Sequence, residues 1–154
     1  TLWLEWPITG GPSPDIVVDT APEKPDWFRK HVSRISGDTH PWVGASGGEG
    51  VRKLTVRLAD KDAAPASYTV KLYFVEPQAL KPGQRVFDVT VQGQSALKSL
   101  DIVREAGSAD RVISRTVQNI NVGDELIIEL IPAGGSRPPV LCGVEVLADD
   151  SDTQ

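Results

Sequence analysis

The sequence predicts an all-β fold, a jelly-roll β-sandwich preceded by an irregular Pro/Gly-rich N-terminal arm. Three observations carry the prediction. From Val51 onward apolar and polar residues alternate with period two, run after run. The runs are separated by PG, QG and GD turn signals. No βαβ rhythm and no internal repeat interrupts them, so the strands belong to an antiparallel sandwich.

The arm comes first. LWLEW is strand-like, and ITGGPSP and TAPEKPDW follow it with prolines recurring from Pro7 to Pro25. Proline removes a ladder donor and fixes φ, so this stretch is expected to run extended over the surface. DWFRKHVSRI, residues 26–35, is the one segment that reads as a helical turn, and HPWVGASGGEG, 40–50, reads as a glycine-rich loop. Strands then follow in order. VRKLTVRL puts Leu54, Val56 and Leu58 on one face. YTVKLYFV puts Tyr68, Val70, Leu72 and Phe74 on one face, and VFDVTV does the same with Phe87, Val89 and Val91. LKSLDIV, VISRTV, ELIIELI and VLCGVEVL complete the set; LIIELI is apolar almost throughout and predicts a strand covered on both sides. The expected organisation is one domain: an arm over 1–39 packed on the sandwich, the sandwich over 40–148, and an acidic tail, DDSDTQ, over 149–154.

If each connection reverses the chain, alternate loops share one end of the sandwich. Loops 40–50, 76–85, 105–111 and 132–139 then gather at one end, and 59–67, 92–96 and 119–125 at the other. The first end collects His40, Trp42, Glu76, Gln78, Arg85, Glu105, Asp110, Arg111, Ser136 and Arg137. Loops held by rigid strands are where function concentrates.

Several function classes fall away. Net charge is −5 and the basic residues are scattered, so no nucleic-acid face is expected. No apolar run approaches the ~20 residues that span a bilayer, so no membrane insertion is expected. With no signal peptide and no Met, the chain reads as a module of a longer protein. Cys142 is alone in VLCGVEV and reads as a buried thiol. Gly44-Ala45-Ser46-Gly47-Gly48 fits G-x-S-x-G, but VRKLTVRL after it alternates like a strand, and His31 and His40 both precede it. Its glycines are read instead as φ > 0 positions of a tight loop. No phosphate loop or zinc spacing is present, and Asp88, lying mid-strand, reads as structural. No cofactor, metal or catalytic activity is expected. A calcium site among the acidic loops is the one alternative, and no D-x-D-x-D-G loop supports it.

The aromatics carry the binding signal. Trp3, Trp6, Trp27 and Trp42 all lie in the first third. Trp3, Trp6 and Trp27 read as pins that hold the arm to the sandwich. Trp42, beside His40 in a glycine-rich loop, reads equally as a pin or as a platform on which a sugar ring stacks.

YTVKLYFVE, RVFDVTVQG, LKSLDI and PPVLCGVEV together resemble the malectin and malectin-like carbohydrate-binding domains, over about residues 40 to 148. The resemblance implies a jelly-roll of the malectin-like, galactose-binding-like kind, a non-catalytic role and a glycan partner. It also implies an extracytoplasmic setting, periplasmic, cell-surface or secreted, because the LWLEWP…GGPSP opening is similar to modules of very large bacterial surface proteins. In the family, two adjacent aromatics after the F-A-E acid stack on a glucose disaccharide. Here Gln78 and Ala79 hold those slots, and Ser136-Arg137 stands where a sugar-contacting acid would precede the last strand. The tentative glycan-binding set is therefore His40, Trp42, Glu76, Gln78, Arg85, Ser136 and Arg137. The competing reading is a structural or protein-interaction module of an envelope protein, docked to neighbouring domains, with the sugar site lost.

Overall fold

The computed structural model describes residues 2–5, 8–10 and 18–149, with side chains from Asp19 onward. In chain order the elements are β1 (Leu2–Glu5), β2 (Ile8–Gly10), β3 (Val18–Ala21), β4 (Asp26–Arg29), β5 (Ser46–Glu49), β6 (Lys53–Arg57), β7 (Ala66–Phe74), β8 (Arg85–Val91), β9 (Gln94–Leu100), a one-turn helix α1 (Ile102–Ala106), β10 (Ile113–Val122), β11 (Glu125–Gly135), β12 (Val140–Leu141) and β13 (Gly143–Ala148). Two five-stranded antiparallel sheets, in the orders β10-β7-β13-β1-β2 and β3-β6-β11-β8-β9, enclose the core. A three-stranded sheet, β12-β5-β4, adds to one end.

The period-two pattern is the cause of this architecture. Val70, Leu72 and Phe74 of β7 and Val144 of β13 meet Leu54 and Val56 of β6, Phe87, Val89 and Val91 of β8, and Leu126, Ile128 and Leu130 of β11. Phe74 and Phe87 bridge the two sheets with ring centroids 5.8 Å apart. A second, smaller core lies on the outer side of β7, where Tyr73 and Val75 pack with Ile35, Val43, Val112 and Cys142. It ties the segment before β5 to the sandwich.

Five local expectations are corrected. Residues 26–35 are not a helical turn: Asp26–Arg29 pair with Ser46–Glu49 as strand, and only Val32–Arg34 form a 3₁₀ turn. A ladder partner outweighed weak local propensity. The 40–50 segment is a 3₁₀ turn, Val43–Ala45, followed by β5. Its Gly47 serves close packing: a Cβ there would lie 2.6 Å from the Phe28 ring and 2.8 Å from the Leu141 carbonyl oxygen, with no positive φ. LKSLDIV stops as a strand at Leu100, because Asp101 caps α1 by accepting from Arg104 N–H at 3.1 Å. The ELIIELI strand is covered on one face only; Ile127 is half-buried and Ile131 is 45% exposed. Finally, VLCGVEVL changes sheet at Cys142, whose N–H donates to the Tyr73 carbonyl at 3.0 Å.

The loops gather as the parity argument predicts. At one end Asp110 N–H donates to the Glu76 carbonyl (2.9 Å), Ser136 N–H to the Gln84 carbonyl (3.0 Å) and Gly50 N–H to the Pro139 carbonyl (2.7 Å). At the other, Leu58 N–H donates to the Asp124 carbonyl (2.8 Å), and the Gln92 side chain donates to the Glu125 carbonyl (3.1 Å).

Candidate functional site

The seven candidate residues separate into three groups at this end. The first is a buried ion cluster. Along β8 the alternation that turns Phe87, Val89 and Val91 inward also turns Arg85 inward; along β7 the same parity carries from Phe74 to Glu76. The two side chains, 2% and 1% exposed, meet at the end of the core. Arg85 Nε donates to Glu76 Oε2 at 2.6 Å and Nη2 to Glu76 Oε1 at 3.2 Å. Nη2 also reaches Glu49 Oε1 at 3.3 Å, and Nη1 donates to the Pro138 carbonyl. Gln78 closes the group: its N–H donates to Glu76 Oε1 (3.1 Å), and its side-chain amide donates to Glu49 Oε2 (3.1 Å). Glu76 and Arg85 are thus engaged with each other beneath the rim, where they hold loops 76–85 and 132–139 to β5, while Gln78 lies half-buried on Glu49. Glu49 was not among the candidates, and Glu76 and Arg85 were read as loop residues open to a glycan; carrying the strand parity through both positions would have signalled a buried pair in need of partners.

The second group is Trp42 and His40. The His40 carbonyl accepts from Val43 N–H at 2.9 Å, closing a turn in which His40 takes φ +40°. Val43 is wholly buried in the smaller core, so its neighbour Trp42 is thrown outward and remains 47% exposed. The His40 ring meets Trp42 edge-on (5.8 Å, 82°) and Tyr73 likewise (5.6 Å, 83°). Burial, with the hydrogen bond and charge of Glu145 added, pushes the Tyr73 phenol up to about 12. It therefore stays protonated and donates to Glu145 Oε2 at 2.8 Å. Its oxygen also lies 3.3 Å from His40 Nδ1, which in turn lies 3.0 Å from Thr39 Oγ1. Trp42 is in this way set on a turn anchored to β7 and β13.

Trp42 forms one wall of an open cleft of about 660 Å³ whose other walls are Arg29, Lys30, His31, Val32, Ala45 and Ser46. Lys30 fastens the cleft to the rim, its ammonium donating to the Pro77 carbonyl and to Asp110 Oδ1, both at 2.5 Å. Val32, 45% exposed, supplies a second apolar surface. The third group, Ser136 and Arg137, lies exposed past β11, its backbone N–H groups held by the Gln84 carbonyl. Glu105 and Arg111, also placed at this end, pair instead with Arg115 and Asp38 around a separate, smaller polar cleft of about 320 Å³.

Asp88 is structural in this arrangement, accepting from Ser99 N–H at 2.7 Å. Trp27 is partly buried against the main core, while the side chains of Trp3 and Trp6 lie outside the described residues. Burial pushes the Cys142 thiol up to about 12. Among the described residues no cluster of three or more His, Cys, Asp or Glu gathers as a metal site, and no helix is long and apolar enough to cross a membrane.

Comparison with known proteins bears on the fold. Residues 63–136 match the family model for the Malectin domain, a carbohydrate-binding module type that is typically non-catalytic. The Nodulation receptor kinase of Pisum sativum is 40% identical over 82 residues, a match covering 52% of this chain and 8% of that protein. Homologous malectin domains are extracellular receptor ectodomains. The extracellular domain of ANXUR1 from Arabidopsis thaliana superposes with a TM-score of 0.68 at 14% identity, over 82% of this chain and 39% of that one. A β-glucuronidase 2 from Bacteroides uniformis superposes with a TM-score of 0.63 at 13% identity, over 82% of this chain and 14% of that one. The fold of this chain is malectin-like, and its segment 63–136, from just before β7 to just past β11, carries the sequence match to the Malectin domain.

Proposed function

We propose that this chain is a non-catalytic carbohydrate-binding module of a larger extracytoplasmic protein, and that it takes a glycan in the Trp42 cleft. One observation carries the reading: an indole, half exposed, forms a wall of an open cleft at the loop-bearing end of a malectin-like sandwich. A sugar ring offers a C–H face to an indole and hydroxyls to polar neighbours, and the cleft pairs Trp42 and Val32 with Arg29, Lys30, His31 and Ser46. Of the seven candidate residues, Trp42 is the direct contact. His40 supports its ring, and Glu76, Gln78 and Arg85 stiffen the rim beneath. Ser136 and Arg137 have no place in the cleft's lining. A single site of this openness binds weakly and gains from avidity in a multidomain parent.

A glycan array probed with the native chain and with Trp42→Ala tests this. Native binding is expected, with at least a tenfold loss on substitution, about 1.4 kcal/mol. The melting temperature should stay nearly constant, because the indole is half in water already. A second reading, a module that docks neighbouring domains of an envelope or surface protein, draws support from Gln78 and Ala79. Neither offers a stacking surface, and Gln78 is tied to Glu49. A blank array together with a large fall in melting temperature for Trp42→Ala would favour that reading.

A further inference from the structure

We propose that Ser46 is a specificity-determining residue of the Trp42 cleft: its hydroxyl bonds one hydroxyl of the saccharide ring stacked on Trp42, so that the cleft separates a sugar from the analogue lacking that hydroxyl; this rests on the glycan-binding reading above. Of the described residues that line the cleft, Ser46 alone is buried, 5% exposed against 47% for Trp42 and 45% for Val32. It forms the floor, where the other two form the rims. Among the described residues its Oγ has no hydrogen-bond partner. His31, which lines the same cleft, turns its Nδ1 to Ser33 Oγ at 2.7 Å. The serine of the G-x-S-x-G stretch therefore has no bonded base to make it a nucleophile, and its hydroxyl is left for recognition. Thr90 Oγ1 is the one described side-chain atom that is both sealed from water and unbonded. The Ser46 hydroxyl, unbonded too, is therefore open to the cleft that it lines.

The backbone carries this hydroxyl rigidly. Ser46 opens β5 and is paired across to Arg29 of β4. The glycines around it leave no slack: a Cβ on Gly44 would lie 2.5 Å from Val75 Cγ2, and one on Gly47 would lie 2.6 Å from the Phe28 ring. A serine hydroxyl offers one donor and two acceptor lone pairs. A sugar hydroxyl offers the same set, so the two can bond in either sense, whichever way the ligand's other hydroxyls are engaged. A ring stacked on Trp42 closes the floor to water. A ligand that presents C–H there leaves a buried hydroxyl unbonded, which costs more than the bond itself contributes. A site built to bond a hydroxyl rejects the analogue lacking it for this reason.

The test uses gluco, galacto and manno disaccharides, each in native form and as its set of monodeoxy analogues, titrated calorimetrically into the full chain. For at least one backbone, one analogue is expected to bind about tenfold more weakly than its parent, the effect of a single hydrogen bond left unmade. Ser46→Ala should weaken the parent by a similar factor and bind that analogue as well as it binds the parent. The remaining analogues should keep the ratios seen with the native chain, and Trp42→Ala should weaken parent and analogues alike. Should Ser46→Ala melt well below the native chain, Ser46→Cys carries the same comparison, because a thiol is a weak hydrogen-bond partner of similar size. Binding that depends on Trp42, with no analogue weakened or with every ratio untouched by the change at Ser46, overturns this inference and leaves the glycan-binding reading standing. No binding of any saccharide overturns both.

Discussion

Replacing Arg85 with methionine keeps the apolar stem and removes the charge that the rim is built around. The substitution deletes the bonds of Nε and Nη2 to Glu76, of Nη2 to Glu49 and of Nη1 to the Pro138 carbonyl. Glu76, 1% exposed, keeps the Gln78 N–H donor at 3.1 Å. Removing one partner of a buried pair costs about 3–5 kcal/mol, because the remaining charge has lost its compensation. At roughly 2–4 °C per kcal/mol for a domain of this size, the melting temperature should fall by roughly 6–20 °C. Urea unfolding followed by far-UV circular dichroism measures the loss. The double variant Arg85→Met/Glu76→Leu should recover at least half of it, since a buried pair replaced by apolar groups is often nearly neutral. Glu49→Gln should cost less than either single change, because Glu49 is 14% exposed and keeps Gln78. A loss under about 1 kcal/mol for Arg85→Met, or a double variant as unstable as the sum of its singles, would refute the reasoning.

Three further outcomes are expected. In Tyr68→Phe the one remaining tyrosine, Tyr73, should ionise near 12 by absorbance at the phenolate band, well above its ordinary 10. The folded value is raised, so its contribution to stability is complete below 10 and is lost as pH rises through about 12; a midpoint at 10 would contradict the Glu145 contact. Cys142, buried and pushed up to about 12, should resist a disulfide reagent at about pH 8 until urea unfolds the chain. Rapid labelling of the folded protein would show that β12 and β13 part more easily than their burial implies. Gly47→Ala should lower stability by about 1–3 kcal/mol, since its Cβ would meet the Phe28 ring and the Leu141 carbonyl; an unchanged unfolding midpoint would mean that β4 can shift to make room.

Much of the sandwich was legible in the sequence. Alternation in VRKLTVRL, YTVKLYFV and VFDVTV identified the strands and the faces they bury, and counting reversals placed four loops at one end. The places where the reading failed share a feature. Asp26–Arg29 and Ser46–Glu49 show little local strand character and become strands because each supplies the other's hydrogen bonds. Residues 117–120 carry a bulge with Asn119 at φ +58°, which no pattern announces.

The candidate site divides in the same way. The sequence by itself determined the alternation, and with it the inward direction of Arg85 and Glu76 at the ends of their strands, because side-chain direction follows from a period of two. The outward direction of Trp42 depended on Val43 finding a hydrophobic pocket among Ile35, Val75, Val112 and Cys142, residues up to 99 positions away in the chain. The cleft likewise required Lys30 to reach Pro77 and Asp110. Only the tertiary structure decided those matters: burial and charge pairing between distant segments are properties of the packed chain, and no local pattern encodes which segments will meet.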